Sequence, residues 1–176
     1  MDSYFYNTQL PSSFDWMFSD ISIENFIFNI SGGRDQWLEG SINKQDLADQ
    51  DPFLKYIHTY VRGHTDFVLI KSPPNTIYNW HVDRTNKYNF NYVFEQYNSK
   101  TLFRSLPEHS NHRDLHSANF NFTEIKYIPK NWYLFNSQIA HTVINFDSRN
   151  RYLLQLSVKK SCEISYENML EIIKRY

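Results

Sequence analysis

The sequence predicts a mainly β protein: a double-stranded β-helix (jelly-roll) sandwich with a helical N-terminal part and a C-terminal helix. Two observations support this prediction. The chain of 176 residues is rich in aromatic side chains, with 13 Tyr, 14 Phe and 4 Trp, and aromatic residues favour strands over helices. Short strand-like segments fill residues 65–158 without alternating with helices. This pattern indicates a sandwich or barrel and argues against a parallel α/β fold.

Eight segments after Gly63 have the composition and alternation of strands. They are 67–71, 76–82, 88–97, 101–105, 119–128, 132–136, 140–146 and 151–158. Turn-forming residues separate several of them, at 73–74, 98–99, 129–131 and 147–150. A polar segment, 105–118, interrupts the series and is expected to form a loop.

The N-terminal part is expected to lead into the sandwich rather than belong to it. Residues 1–22 look irregular, with a short turn at 12–18, and residues 23–30 alternate in a way that indicates a strand. Residues 42–62 are the best helix candidate because their apolar residues recur with helical spacing. Pro52 requires a break or a new first turn, so two short helices are an alternative to one.

The length of the chain fits a single domain, 1–176. Within it we expect an irregular and helical lead-in at 1–64, a jelly-roll core at 65–158 and a terminal helix at 163–176. Ser165 is a candidate N-cap of that helix, because a serine hydroxyl can accept a hydrogen bond from the first helical turn.

Composition and charge exclude several function classes. The formal net charge of −1 provides no basic field for nucleic acid or anionic membrane. The single cysteine, Cys162, cannot form an internal disulfide and suits a reducing compartment, where it is expected to be an inert thiol. No Lys or Arg precedes Arg34 and no long apolar run occurs, so neither a secretory signal nor a membrane span is predicted. We therefore expect a cytoplasmic protein with neither nucleic acid nor membrane as a partner.

A histidine and an aspartate two residues apart stand in the segment 78–84, YNWHVDR. Successive side chains of a strand point to opposite faces, so His81 and Asp83 would project from one face at the end of the strand 76–82. This arrangement suits two ligands of one metal ion. The H-x-D pattern is weak on its own, because many such pairs are polar residues at the surface.

His141 is a candidate for the third ligand, because it is an internal strand residue with apolar neighbours in the segment 140–146. Together with His81 and Asp83 it would complete a set of two histidines and one carboxylate. Such a set leaves open positions on an octahedral ion and is typical of non-haem Fe(II) oxygen chemistry. The alternative is a buried histidine whose ring is satisfied by backbone groups.

The order of these residues, with H-V-D at 81–83, a distal His141 and Arg151 ten positions later, resembles the Fe(II)/2-oxoglutarate-dependent dioxygenase superfamily. The resemblance covers residues 67–158. It implies that His81, Asp83 and His141 bind Fe(II) and that Arg151 pairs with the far carboxylate of 2-oxoglutarate, for which a planar two-pronged donor is suited. It further implies a hydroxylase that consumes O2, releases succinate and CO2, and oxidises a C–H bond. The short scaffold favours a small molecule or an exposed peptide side chain as the substrate.

Arg151 also has competing interpretations. It could pair with Asp147, and Arg149 could be the functional arginine instead. We favour Arg151 because it opens the apolar strand 151–158. A simple hairpin between the last two strands would place Arg151 on the face opposite His141. The resemblance therefore predicts that residues 147–150 cross from one sheet to the other.

The family often has a hydroxyl residue two positions after this arginine, where the present chain has Leu153. Another donor would then have to bind the carboxylate, and the candidates are Tyr78, Asn91, Tyr92 and Arg104. Tyr78 lies three positions before His81, so strand alternation places it on the wrong face unless a bulge intervenes.

Two further functions stay open at this level. A cupin-type metalloenzyme that does not use 2-oxoglutarate is favoured by the spacing of His141 and Asn145, although the glycines and the H-x-H of cupin motifs are missing. A non-catalytic β-sandwich binding module is the other. The spacing of His109, His112 and His116 suggests a second metal site, but their polar surroundings favour a solvated loop, which could act as a lid.

Overall fold

The computed structural model describes residues 4–11, 29–30, 38–41, 51–104 and 121–176. Two antiparallel sheets lie face to face within these ranges. The larger sheet has seven strands, in the spatial order β1 (Phe5–Pro11), β9 (Asn131–Phe135), β6 (Asn86–Val93), β11 (Arg151–Lys159), β4 (Thr65–Ser72), β3 (Leu38–Ser41) and β2 (Asn29–Ile30). The smaller sheet has four, in the order β5 (Thr76–His81), β10 (His141–Asn145), β7 (Ser99–Arg104) and β8 (Phe122–Ile125).

Both helices of the described residues begin where the sequence provides a cap. In α1 (Pro52–Val61), the Asp51 carboxylate accepts a hydrogen bond from the Leu54 amide at 2.8 Å, and Pro52 occupies the first turn. This confirms a helical first turn at Pro52, while residues 42–50 lie outside the described ranges. In α2 (Tyr166–Ile173), the Ser165 hydroxyl accepts from the Asn168 amide at 3.2 Å, which confirms the predicted cap.

Strand alternation divides the large sheet into two chemically different faces. The even-numbered residues of β6 from 88 to 92 and of β11 from 154 to 158 are apolar or aromatic, and they pack with Leu54 of α1 and Met169 of α2 in one buried cluster. Each such side chain contributes about 1.5–3 kcal/mol through burial. The odd-numbered residues face the small sheet and include Asn89, Asn91 and Arg151. The helices thus close one face of the large sheet, and the other face is available for a polar site.

The mainly β jelly-roll prediction is confirmed, and a strand occurs in each of the eight predicted segments. The expectation of irregular structure over residues 1–22 is wrong for residues 5–11, which form β1. This strand begins with Phe5 and Tyr6 but also contains Asn7 and Pro11, which are depleted in strands. Its backbone pairs with β9 at the edge of the large sheet, with Phe5 opposite Phe135, so tertiary pairing outweighs a mixed local propensity. The turn expected at 12–18 lies outside the described residues, and only 29–30 of the strand expected at 23–30 are described, as β2.

The connection between β10 and β11 passes from one sheet to the other. Strand β10 lies inside the small sheet and β11 inside the large one, with residues 147–150 between them. The predicted crossover is confirmed. As a consequence, His141 and Arg151 both point into the space between the sheets.

Candidate metal centre

His81, Asp83 and His141 come together at one end of the sandwich. One potential ligand atom from each residue lies within 4.8 Å of the others. Asp83 Oδ1 is 3.7 Å from His81 Nε2 and 3.9 Å from His141 Nε2. Two imidazoles and one carboxylate are a donor set for a divalent transition metal. The three residues that the sequence predicted as ligands are therefore close enough to bind a single ion.

Hydrogen bonds to the backbone orient both histidine rings. His81 Nδ1 lies 2.8 Å from the Asn79 carbonyl oxygen, and His141 Nδ1 lies 2.9 Å from that of Ile139. A carbonyl only accepts, so each Nδ1 carries the proton and each Nε2 presents a lone pair to the shared space. Burial, together with the neighbouring His81, lowers the pKa of His141 to about 4. The neutral form that can bind a metal thus predominates at neutral pH.

The two oxygens of the Asp83 carboxylate have different environments. Oδ2 accepts hydrogen bonds from the side-chain amides of Asn89 at 3.0 Å and Asn86 at 3.4 Å, while Oδ1 faces the histidines. The Asp83 backbone amide also donates to the Ser137 carbonyl at 3.0 Å. This arrangement leaves Oδ1 as the atom directed to a metal and limits rotation of the carboxylate.

A bulge in β5 brings Tyr78 to the same side as His81. His81 pairs with His141, and Tyr78 pairs with Val143, so β5 has one more residue than β10 between the two pairs. The rings of Tyr78 and His81 lie at right angles, with centroids 4.3 Å apart. The bulge that the sequence required for Tyr78 to reach the site is therefore present.

Arg151 is a buried cation with unpaired donors. The residue is 1% exposed, and its Nε and Nη1 atoms have no hydrogen-bond partner. No carboxylate of the described residues forms an ion pair with it, and its guanidinium carbon lies 5.8 Å from the centroid of the Tyr127 ring. Burial lowers the pKa of Arg151. Unpaired buried donors on a cation are costly, so this position is suited to an anionic ligand.

Arg149, the alternative functional arginine, lies outside the cavity. Its side chain is exposed and pairs with Glu95 at 3.1 Å and with Asp147 at 3.3 Å. Asn145, whose spacing from His141 suggested a cupin motif, donates its amide to the carbonyls of Ser72, Pro73 and Arg149. It stabilises the crossover and does not line the cavity.

One cavity, of about 90 Å³, connects the metal ligands with Arg151. Its walls also include Tyr78, Asn86, Asn89, Asn91, Thr101, Tyr127, Phe135, Val143, Leu153 and Gln155. Of the alternative carboxylate donors, Tyr78 and Asn91 line it, whereas Tyr92 packs in the cluster beneath the helices. Arg104 is buried outside this cavity.

Tyr127 and Asn89 are among the wall residues that were not singled out from the sequence. Tyr127 follows β8 and would share the inward face of Thr123 and Ile125, so alternation along the predicted strand 119–128 could have identified it. Asn89 lies on the same face as Asn91 by the same rule. His109, His112 and His116 lie outside the described residues. Within the described part of the chain, no helix is long and apolar enough to cross a membrane.

Comparison with known proteins identifies similar folds but no family. No family model matches the sequence, and no curated protein does. Among solved structures, a 2OG-Fe(II) oxygenase family oxidoreductase from Burkholderia pseudomallei is similar with a TM-score of 0.54 and 6% identity, covering 79% of this chain and 74% of that one. A prolyl-4-hydroxylase from Pseudomonas putida has a TM-score of 0.50 and 14% identity, covering 75% and 76%.

A further solved structure is similar with a lower TM-score. The polyketide cyclase RemF from Streptomyces resistomycificus has a TM-score of 0.45 and 10% identity, with 80% of each chain covered. At these identities the likeness extends to the fold alone. The fold and the cluster of His81, Asp83 and His141 thus define a jelly-roll protein with a candidate metal centre.

Proposed function

We propose that the protein is an iron- and 2-oxoglutarate-dependent oxygenase that hydroxylates a C–H bond of a small molecule or peptide side chain and releases succinate and CO2. One observation carries the proposal. A single cavity has a candidate facial triad at one end and a buried arginine with unpaired donors at the other. Jelly-roll neighbours that include oxygenases are compatible with it.

The cavity suits a short dicarboxylate. Its volume of about 90 Å³ is several times the minimum of about 10–15 Å³ that a single water molecule needs, so the cavity can admit a small co-substrate. A 2-oxo dicarboxylate has one end that can chelate a metal and another that needs a fixed cation. A metal site that used no such co-substrate would leave the Arg151 donors unexplained, because no carboxylate of the described residues pairs with them.

Each residue has a separate role in this proposal. His81, Asp83 and His141 would hold Fe(II), which supplies O2 activation when bound. Arg151 would bind the distal carboxylate through Nε and Nη1. Leu153 contributes only an apolar wall, so the Tyr127 hydroxyl, which accepts from the Asn91 amide at 3.4 Å, is the further donor that we assign to that carboxylate.

The protein itself also controls the surroundings of the reaction. Asn89 and Asn86 keep Asp83 oriented, and the backbone carbonyls hold the protons on the Nδ1 atoms of both histidines. Arg151 is buried, which excludes bulk water from the end of the cavity opposite the candidate metal ligands. The His81 side chain is 25% exposed, so the end of the cavity with the candidate metal ligands is accessible to substrate and O2.

Anaerobic titration with Fe(II) and 2-oxoglutarate tests the proposal. We expect the weak visible charge-transfer band of the chelate, and succinate formation once O2 is admitted. Arg151→Met should weaken 2-oxoglutarate binding strongly. Arg149→Ala is the matched control, because it removes an exposed arginine two positions away and should leave binding unchanged.

Other outcomes would contradict separate parts of the proposal. No band together with no succinate would overturn it as a whole. A band of unchanged strength in Arg151→Met would overturn only the arginine assignment. Metal binding without any effect of 2-oxoglutarate would indicate a metalloenzyme of another type. No bound metal in either the wild type or His81→Ala would indicate a non-catalytic binding module.

A further inference from the structure

A second cavity, of about 390 Å³, lies at the end of the sandwich away from the metal ligands. It is lined by the end of β6 and its following turn (93–98), the start of β7 (99–100) and the residues 124–127. The metal ligands lie instead at the end of β5 and the start of β10. Tyr127 is the one described residue that lines both this cavity and the cavity containing the metal ligands.

Several contacts hold Tyr127 in place. The Tyr133 hydroxyl accepts from the Ile128 amide at 2.8 Å and lies 3.3 Å from the Lys126 carbonyl, so the backbone is attached on both sides of Tyr127. The rings of Tyr127 and Tyr133 pack edge to face with centroids 4.8 Å apart. The Asn91 amide donates to the Tyr127 hydroxyl at 3.4 Å. The side chain is therefore a fixed partition and not a loosely held surface group.

Tyr127 also limits the position of Arg151. The guanidinium carbon lies 5.8 Å from the centroid of the Tyr127 ring, so the ring occupies the space on that side of the cation. An anion bound to Arg151 meets this partition at the far end of the smaller cavity. The Tyr127 ring therefore limits how far the Arg151 guanidinium can lie from the metal ligands.

We propose that Tyr127 sets the longest 2-oxo dicarboxylate that the protein accepts as co-substrate. This inference rests on the proposed function and assigns a length-selecting residue to it. Removing the ring would connect the two cavities and let Arg151 withdraw toward the larger one. A co-substrate with one more methylene group, 2-oxoadipate, would then fit between the metal and the cation.

Relative affinity for two co-substrates is the quantity to measure. One methylene group in a closed apolar site changes discrimination by roughly 10–200-fold. In anaerobic titrations of the Fe(II)-loaded protein, we expect the ratio of the 2-oxoadipate Kd to the 2-oxoglutarate Kd to fall by at least about tenfold in Tyr127→Ala. Tyr127→Phe keeps the ring and should leave the ratio unchanged even if the lost hydroxyl weakens both ligands.

Further measurements keep the inference open to refutation. Circular dichroism and thermal unfolding check that Tyr127→Ala folds, and Tyr127→Leu replaces it if it does not. An unchanged ratio of the two Kd values in a folded variant without the ring would overturn the inference. A fall of that ratio in Tyr127→Phe as large as in Tyr127→Ala would also overturn it. A crystal structure of the folded variant with two separate cavities would overturn it without reference to any ligand. If wild type gives no band with 2-oxoglutarate, the proposed function fails and the inference with it. If the wild type gives a normal band with 2-oxoglutarate but the ratio of the two Kd values is unchanged in Tyr127→Ala, only the role of Tyr127 is refuted.

Discussion

Replacing Arg151 with methionine should stabilise the ligand-free protein while removing its response to 2-oxoglutarate. Methionine has a similar length and carries no charge. The native side chain is 1% exposed and has two nitrogen atoms without a hydrogen-bond partner. Without a ligand, the protein therefore keeps a cation that is neither solvated nor paired with a carboxylate of the described residues. Such a residue opposes folding, and under the proposed function its role is to bind the co-substrate.

The magnitude follows from the contacts of the guanidinium. Leaving Nε and Nη1 unpaired costs about 1–3 kcal/mol each. Attraction to the Tyr127 ring offsets about 2 kcal/mol of this at a desolvated site. The net cost is then about 2 kcal/mol. For a chain of this length it corresponds to a rise of about 4–8 °C in the Tm of Arg151→Met.

Calorimetric unfolding of the Fe(II)-loaded protein under anaerobic conditions, with and without 2-oxoglutarate, tests both halves of the prediction. At a ligand concentration of a hundred times Kd, the wild type should gain about 2.7 kcal/mol, and Arg151→Met should gain almost nothing. The control Arg149→Ala should respond like the wild type. If Arg151→Met were much less stable than the wild type without ligand, the guanidinium would have a structural partner and the reasoning would be refuted.

Three further predictions follow from other contacts. Asn89→Ala should weaken binding of Mn(II), measured by calorimetry, by about 10–100-fold because Asp83 loses its orienting donor; Asn91→Ala, a matched change two residues along β6, should not. In the metal-free protein the pKa of His141 is about 4, below its ordinary 6.5. As the pH falls, the His141 ring is therefore protonated in the unfolded chain before it is protonated in the folded protein. The free energy of unfolding should therefore fall as the pH drops from 6.5 to 4 and be independent of this group above pH 7. Urea titrations across this range check the slope, which His141→Gln should reduce. Asp51→Ala removes the cap of α1 and should cost about 0.5–2 kcal/mol in urea unfolding; a change below that range would mean that the buried carboxylate contributes little.

The candidate metal ligands were predictable because side chains alternate between the two faces of a strand. His81 and Asp83 are two residues apart at a strand end, and His141 interrupts an apolar strand, so three polar residues were expected on inward faces. The crossover at 147–150 was predictable only because the resemblance required Arg151 to face inward. Local hairpin rules favoured the opposite arrangement.

Other parts of the fold and site depend on contacts distant in sequence. Strand β1 is stabilised by pairing with β9, more than a hundred residues away, and its own sequence mixes strand-forming Phe5 and Tyr6 with Asn7 and Pro11. Asn89 reaches Asp83 only because β6 passes beneath the end of β5. Tyr127 becomes a partition through its position between two cavities. None of these relations is present in a local window of sequence.

The crossover has a consequence for how the site tolerates change. His141 belongs to the small sheet and Arg151 to the large one, so the separation of these two side chains depends on the spacing between packed layers, about 10 Å in β-sandwiches. Phe103 and Phe135 fill the interior between the layers, with ring centroids 4.7 Å apart, and the Phe135 ring lies 4.8 Å from that of His141. Loops can therefore lengthen or diverge without altering this separation, whereas a change in the size of these two phenylalanines would alter it directly.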